Sequence, residues 1–182
     1  MTGSRPAVRP RANASMRPVF ISVIGTGDTA TDRDRALAEE VGRLLAQNGA
    51  AVVCGGLNGV MEAACKGAKS AGGLTVGLLP GTDPADANPW VDIPVPTGLG
   101  YARNSIVVKA GQAVIAIGGA FGTLSEIGHA IADGKTVVGI ETWELARRGK
   151  TDSHIVRASS PADAVEKALA AAKKGTARSS GG

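Results

Sequence analysis

The sequence predicts an α/β protein of three layers, in which one parallel sheet of about six or seven strands carries helices on both faces. Two observations predict this class. Short apolar runs typical of buried strands alternate along the chain with segments of helical periodicity. Three of the apolar runs end in glycine turns, which suit a tight connection from a parallel strand to the next element. A content of 43% hydrophobic and 20% charged residues is that of an ordinary globular chain.

The first half of the chain supplies three strands, two helices and a short extended piece. Val19–Ile24 is a continuous apolar run that ends at Gly25, as expected for a parallel strand buried on both faces. Asp32 is the predicted cap of the first helix, which runs to Asn48-Gly49. The remaining elements of this half are a strand over Ala51–Cys54, a helix over Leu57–Ala71, a strand over Leu74–Leu79 and an extended piece over Val91–Val95.

The second half continues the alternation and ends in a well-marked helix. Ser160 is its predicted cap, Pro161 its first-turn residue and Gly175 its stop. The elements before it are a helix over Ala102–Ala110, a strand over Ala113–Ile117, a helix over Gly122–Asp133 and strands over Thr136–Ile140 and His154–Val156.

The elements define one domain with a short extension at each end. We expect residues 18–175 to form a single Rossmann-like domain that binds a nucleotide or phosphate, and residues 176–182 to form a flexible tail. Residues 1–17 have no apolar periodicity and predict a disordered basic leader. The leader holds four of the 20 basic residues and none of the 16 acidic ones, so the remaining body is neutral.

Composition argues against several classes of partner. A neutral body with 3% aromatic residues does not favour specific nucleic-acid binding by charge or base stacking. No apolar run reaches the 18 residues of a membrane span, and no signal peptide is evident. The cysteines, Cys54 and Cys65, fall in predicted buried segments and suggest small hydrophobic residues in a reducing compartment. We therefore expect a cytoplasmic protein with no membrane partner.

Three glycine turns predict a ligand site at one edge of the sheet. Gly25-Thr26-Gly27, Gly55-Gly56 and Gly118-Gly119 each follow a strand, and the last two lead directly into helices. Because ligands of open parallel sheets bind beyond the carboxyl ends of the strands, the turns converge on one crevice. Helix N-termini there offer free N–H groups to a phosphate. Small residues that merely make tight turns are the alternative interpretation.

The first turn is not a dinucleotide site, although residues 25–30 fit the G-x-G-x-x-A pattern. The helix begins near Asp32, after the glycines and not at them. The second strand ends at Cys54-Gly55, where an acidic residue for the ribose would be required.

The strongest motif is Ile117-Gly118-Gly119-Ala120-Phe121-Gly122-Thr123-Leu124-Ser125-Glu126. Backbone donors from Gly119 to Gly122 and the Thr123 hydroxyl are expected to surround an anion. Glu126, one turn into the helix, faces the same cleft, and Arg103 is the available cation. A first-turn acid that complements the helix dipole and a solvated helix arginine are the alternative interpretations.

This stretch resembles the P-G-G-x-G-T-x-x-E motif of the Lonely-guy family, phosphoribohydrolases that release cytokinin bases from nucleoside monophosphates. Members of this family are often mislabelled as lysine decarboxylases. Residues 55–61 are similar to the family's earlier glycine turn, and Arg103 and Glu126 fall where it carries its catalytic arginine and glutamate. Two residues depart from the pattern: Ile117 replaces the proline and Asn104 replaces a lysine.

The segment over residues 96–104 is more similar to a sister branch, which is grouped with DNA-processing protein A and a molybdenum cofactor carrier. The resemblance implies a phosphorylated small-molecule ligand, either a nucleoside monophosphate or a pterin-type cofactor, and a homodimer or higher homo-oligomer. It makes Arg103 and Glu126 the catalytic candidates. The candidate ligand-binding residues are Gly25, Thr26, Gly27, Gly55, Gly56, Thr97, Gly98, Gly118, Gly119, Phe121, Gly122 and Thr123.

Two functions remain open at this stage. The first is binding of a phosphorylated, nucleotide-like molecule, and the second is hydrolysis of the N-glycosidic bond of a nucleoside 5′-monophosphate. A glycosidase ordinarily uses two carboxylates, and Asp28 or Asp92 are the candidates for the second one. The two His and two Cys lack metal-ligand spacing, so we expect no metal site and no required cofactor. No lysine lies in the glycine turns, which argues against pyridoxal-dependent decarboxylation.

Overall fold

A seven-stranded parallel sheet forms the centre of the protein in a computed structural model, which describes residues 19–179 and their side chains up to residue 174. Its strands are β1 (Val19–Gly25), β2 (Ala50–Cys54), β3 (Thr75–Leu79), β4 (Ile93–Pro96), β5 (Ala113–Ile117), β6 (Val137–Ile140) and β9 (Ile155–Arg157). They lie in the order β4-β3-β2-β1-β5-β6-β9. A separate two-stranded hairpin consists of β7 (Ala146–Arg147) and β8 (Lys150–Thr151).

Five helices cover the two faces of the sheet. They are α1 (Asp32–Gln47), α2 (Val60–Ser70), α3 (Asn104–Ala110), α4 (Phe121–Ala132) and α5 (Pro161–Ser179). One apolar core lies between the sheet and α1, α2 and α5, and a second lies between the sheet and α3 and α4. The predicted three-layer α/β class is therefore confirmed. Among the described residues, no helix is long and apolar enough to cross a membrane.

Strand β1 is the central strand and sends side chains into both cores. Ile21 and Val23 are buried in the first core, whereas Ile24 is buried in the second. Ser22 is fully buried between them, and its hydroxyl donates to Val107 O at 2.7 Å and accepts from the Gly111 N–H at 3.1 Å. These two bonds hold α3 against β1, and they leave the buried hydroxyl of Ser22 hydrogen-bonded both as donor and as acceptor.

The order in which successive strands are added to the sheet reverses at β1. Strands β2, β3 and β4 extend from one side of β1, and β5, β6 and β9 extend from the other. The loops after β1 and β5 lead to helices on opposite faces, so a crevice opens between them at the carboxyl edge. This crevice positions the candidate site.

Two glycines allow α1 and α2 to pack with their backbones in contact. A Cβ on Gly42 of α1 would lie 1.9 Å from Ala64 O, and a Cβ on Gly67 of α2 would lie 1.8 Å from Glu39 O. Neither acceptor atom can move, because each belongs to a helix backbone. The sequence gives no direct sign of this contact, since both glycines interrupt otherwise regular helical patterns.

Three predicted boundaries are wrong. Thr31, not Asp32, caps α1, because its side chain accepts from the Asp34 N–H and Asp34 returns a bond to the Thr31 N–H. The predicted helix over Ala102–Ala110 is a 3₁₀ turn (Gly100–Arg103) followed by α3. Helix α5 continues through Gly175 to Ser179, since one glycine costs a helix only about 1 kcal/mol.

The structure also contains one element that the sequence did not predict, the hairpin of β7 and β8. Strands of two residues give no periodic signal in a sequence. The predicted leader over residues 1–17 and residues 180–182 of the predicted tail lie outside the described residues.

The contact between α1 and α2 gives a first prediction. We expect Gly67→Ala to lower the free energy of unfolding by at least about 1 kcal/mol, because overpacking against backbone costs more than the gain in helix propensity. The matched control is Gly128→Ala at an exposed position of α4, where the added Cβ would meet nothing within 4 Å. This variant should raise the free energy of unfolding by up to about 1 kcal/mol. Urea denaturation measures both, and equal effects of the same sign would contradict the packing account.

Candidate functional site

A cleft of about 610 Å³ opens at the carboxyl edge of the sheet. Four segments form its walls: the loop after β1 over residues 25–29, the start of α2 over residues 57–61, the 3₁₀ turn with the start of α3, and the start of α4. Every wall follows the carboxyl end of a strand, so this is the crevice that the parallel topology predicts.

Arg103 lies at the end of the 3₁₀ turn and is 7% exposed. Its Nη2 donates to Gly55 O at 3.2 Å, and its Nη1 donates to the Asn104 side-chain oxygen. Its Nε is buried without a hydrogen-bond partner among the described residues. Because a guanidinium has five N–H donors, three of them remain uncommitted. Burial lowers the pKa of Arg103, although nearby Glu126 opposes the shift.

Gly55 explains how a guanidinium reaches this depth. A Cβ on Gly55 would lie 2.5 Å from Arg103 Nη2 and 2.7 Å from Met61 Sδ. The glycine is therefore required by the arginine packed against it. Gly55 does not line the cleft, and its ligand-binding role stays a prediction.

Glu126 projects from the second turn of α4 and is also 7% exposed. It makes no hydrogen bond with any described residue, and Arg103 is its nearest source of compensating charge. Burial raises the pKa of Glu126 to about 7, and the positive charge of Arg103 limits the rise. A carboxyl pKa shifted toward neutral pH suits a proton donor or acceptor.

The two buried charges do not neutralise each other. Arg103 and Glu126 do not form an ion pair with each other, although the charge of each affects the pKa of the other. Both groups line the same cleft. Opposite charges held apart in this way leave room for a ligand group that contacts both.

The start of α4 forms the third chemical feature of the cleft. Leu124 makes the first i→i−4 bond of this helix, to Ala120 O, and no side chain caps its start. The N–H groups of Gly122 and Thr123 precede that bond, and both residues line the cleft. Free N–H groups and the positive end of the helix dipole suit an anion.

The structure brings six of the predicted site residues to the cleft: Gly25, Gly27, Arg103, Gly122, Thr123 and Glu126. Eight others lie outside its walls: Thr26, Gly55, Gly56, Thr97, Gly98, Gly118, Gly119 and Phe121. Of the two candidate second carboxylates, Asp28 lines the cleft, whereas Asp92 is bonded to Lys69 and Thr75 away from it.

The residues outside the walls have structural partners. The Thr26 hydroxyl accepts from the Gly119 N–H at 2.8 Å, so this N–H is not free for an anion. The Thr97 hydroxyl donates to Leu79 O at 2.7 Å, and the Gly98 N–H donates to Gly81 O at 2.9 Å.

Three residues remain, and they lie around the cleft. The Gly118 N–H donates to Ile140 O at 3.3 Å. Gly56 adopts a φ of +75°, and its carbonyl accepts from Asn88. Phe121 is 80% exposed and packs against Trp143, with 5.7 Å between the ring centroids.

Sequence reasoning missed part of the cleft lining. Asn58 lies in the second glycine turn, Met61 in the first turn of α2, and Tyr101 and Asn104 near Arg103 in the chain. Proximity to the motif residues is the only signal that points to them. Tyr101 is 90% exposed at the cleft.

The two cysteines meet behind the cleft. Cys54 Sγ and Cys65 Sγ are 3.5 Å apart and fully buried, as the free thiols expected from the sequence. The hydrogen bond between the two thiols lowers the pKa of Cys54 and raises the pKa of Cys65. Within residues 19–179, no three His, Cys, Asp or Glu side chains are grouped closely enough to hold a metal ion.

The fold and the cleft define an open parallel α/β protein with a binding crevice at its topological switch point. The chain belongs to the SLOG cluster4 family, whose model matches residues 18–165. An uncharacterized protein of Archaeoglobus fulgidus is 44% identical over 126 residues, which cover 69% of this chain and 82% of that protein.

Two solved structures are similar over nearly their whole length. The molybdenum cofactor binding protein of Rippkaea orientalis is 39% identical with a TM-score of 0.79, covering 86% of this chain and 98% of that one. The molybdenum cofactor carrier protein of Chlamydomonas reinhardtii is 32% identical with a TM-score of 0.73, covering 89% and 99%. DNA processing protein A of Helicobacter pylori, at 20% identity and a TM-score of 0.62, shares the fold. The resemblance inferred from the motifs is confirmed.

The raised pKa of Glu126 predicts a pH-dependent stability. Below pH 4.5, the ordinary pKa of this carboxyl group in the unfolded chain, Glu126 is protonated in both states and the fold keeps its full stability. The stability falls as pH rises to the folded-state pKa of about 7, because the unfolded chain then releases a proton that the folded chain keeps. We expect Glu126→Gln to match the wild type near pH 4.5 and to exceed it by up to ~3 kcal/mol at pH 8. Urea denaturation across this range measures the difference, and a difference that stays constant with pH would contradict the burial of an ionisable carboxyl group here.

Proposed function

We propose that the cleft binds a phosphorylated, nucleotide-like or pterin-type small molecule. The observation that carries this proposal is the presence of two buried and mutually unpaired charges, Arg103 and Glu126, beside the uncapped start of α4. Burying a charge without a partner is costly, so such an arrangement is typical of a binding or catalytic site.

The phosphate fits the start of α4 best. Gly122 and Thr123 supply N–H groups, the Thr123 hydroxyl lies in the wall, and Arg103 has uncommitted donors on the opposite side. A hydrogen bond to a charged group is worth about 1.5–3 kcal/mol, so a few such contacts suffice for micromolar binding. Glu126 opposes an anion only when ionised, and its raised pKa lessens that repulsion.

The relatives support the carrier form of this function. Two structures that cover nearly the whole domain are described as binding or carrying molybdenum cofactor. We infer that the present chain takes a ligand of the same class and releases it unchanged.

Hydrolysis of a nucleoside 5′-monophosphate is the second candidate function. It is favoured by the pKa of Glu126, which lies near the working pH of a general acid or base. Asp28 lines the same cleft and is the available second carboxylate. Glu126 would stabilise the positive charge that develops on the ribosyl group or activate the attacking water, and Arg103 would orient the substrate.

We also propose a homodimer or higher homo-oligomer. Support comes from apolar side chains exposed on the edge strand β4 and the elements after it, namely Ile93, Val95, Leu99 and Ile106. An exposed apolar edge strand is a ready site for pairing with another chain.

Calorimetric titration with AMP and with inorganic phosphate tests the proposed site. We expect Arg103→Met to weaken AMP binding at least 10-fold, because it removes the charged donors while retaining the side-chain volume. The matched control is Arg43→Met, which removes an arginine that pairs with Glu40 on α1, and it should change the affinity less than twofold. Equal affinities in the wild type and in Arg103→Met would contradict the proposal.

The same samples separate carrier from hydrolase. Incubation with AMP should release no adenine if the protein is a carrier. If it is a hydrolase, adenine should appear, and Glu126→Gln should slow its release by about 10²-fold or more while AMP still binds.

A further inference from the structure

A second depression of about 460 Å³ lies beside the cleft at the carboxyl ends of β5 and β6, and we call it the side pocket. The residues that line it include Gly118 and Gly119 after β5, Thr29 and Asp34 before and within α1, and Thr142 and Trp143 after β6. None of these residues has been given a role by the phosphate site.

The side pocket adjoins the cleft, since Thr29 lines both cavities. Thr26 and Gly119 line the side pocket, and the hydrogen bond from the Gly119 N–H to Thr26 Oγ1 joins the loops after β1 and β5. The shared wall residue lets one ligand, with its phosphate at Gly122 and Thr123, extend toward the side pocket.

Asp34 places a fixed hydrogen-bond acceptor in the lining of the side pocket. Its Oδ2 accepts from the Thr31 N–H at 3.0 Å, and its own N–H donates to Thr31 Oγ1 at 3.1 Å, so the capping box holds the residue in place. Its Oδ1 faces bare Gly118, where a Cβ would lie 2.7 Å away. Among the residues that the structure describes, nothing donates a hydrogen bond to this Oδ1.

Trp143 forms a rigid aromatic wall opposite. Its indole N–H donates to Ala120 O at 3.3 Å, and a Cβ on Gly119 would meet the indole at 3.0 Å. Phe121 packs against the same ring, with 5.7 Å between the ring centroids. The absence of a Cβ at Gly119 allows the indole to pack closely against the backbone there.

The end of β6 is shaped to place these groups. Glu141 has a φ of +48°, one of two positive values at non-glycine positions in residues 19–179, and Arg33 holds its carboxylate. The buried hydroxyl of the next residue, Thr142, has no hydrogen-bond partner within the described part of the chain. Strain and unpaired polar groups of this kind are costly and concentrate at functional sites.

We propose that the side pocket binds the heterocyclic ring of the ligand, and that Asp34 recognises a ring edge with two adjacent N–H donors. This inference rests on the proposed function of the cleft. Guanine and pterin rings carry such an edge, with a ring N–H beside an amino group, whereas adenine does not. A carboxylate can accept both donors, because each of its oxygens has two acceptor positions. Trp143 provides the surface against which the planar ring packs.

Calorimetric titration of the full chain with GMP, AMP and inorganic phosphate tests the proposal. We expect the wild type to bind GMP at least 10-fold more tightly than AMP. Asp34→Asn should reduce the GMP affinity to that of AMP, because an amide repels one of the two donors, while AMP and phosphate binding change less than twofold. The asparagine still offers an oxygen to the Thr31 N–H, so the helix start is retained.

Asp32→Asn is the matched control. Asp32 lies in the same first turn of α1 but lines neither cavity, so the variant removes an equal charge from the helix start. It should leave all three affinities within twofold of the wild type.

Fluorescence provides a second readout that does not depend on Asp34. The chain has two tryptophans, so Trp90→Phe leaves Trp143 as the reporter. GMP should change the Trp143 emission, and inorganic phosphate should not.

The outcomes separate the two proposals. Equal affinity of the wild type for GMP and AMP, or an unaltered GMP preference in Asp34→Asn, would overturn the ring site while leaving the phosphate site intact. Failure of the wild type to bind phosphate, AMP and GMP would overturn the proposed function itself and the ring site with it.

Discussion

The burial of Arg103 and Glu126 in one cleft, without an ion pair between them, is the constraint on which the rest of the site depends. Gly55 must lack a side chain because the guanidinium packs against it. Asn104 accepts from Arg103, which ties the start of α3 to the same group. The cost of the two desolvated charges is tolerable only in a fold with two well-filled cores, and those cores leave the carboxyl edge of the sheet open.

The glycine turns show how similar sequence signals arise from different physical needs. Gly25 must be small because a Cβ would lie 2.2 Å from Ile117 O, and Gly59 because a Cβ would lie 2.1 Å from Gly27 O. These glycines let the loop after β1 approach β5 and α2. Gly27 and Gly122 instead have open space around the added Cβ, and both line the cleft. Packing and ligand access therefore both contribute to the pattern of small residues.

Much of the fold was predictable because strand burial and helix periodicity are local signals. The apolar run of β5 and the capped start of α5 lie where the sequence places them. The site was predictable only in part. Arg103 and Glu126 reach the cleft as expected, but the Gly119 N–H is occupied by Thr26, which lies 93 residues away in the chain. Long-range bonds of this kind, and the approach of the Asp34 carboxylate to Gly118 in the side pocket, leave no local trace in the sequence.

The central claim is that the start of α4 and Arg103 together hold a phosphate. A crystal structure of the wild-type protein grown with AMP tests it most directly. The account predicts a phosphate within hydrogen-bond distance of the Gly122 and Thr123 N–H groups and of the Arg103 guanidinium. An AMP molecule whose phosphate lies elsewhere, with the start of α4 unoccupied, would contradict it.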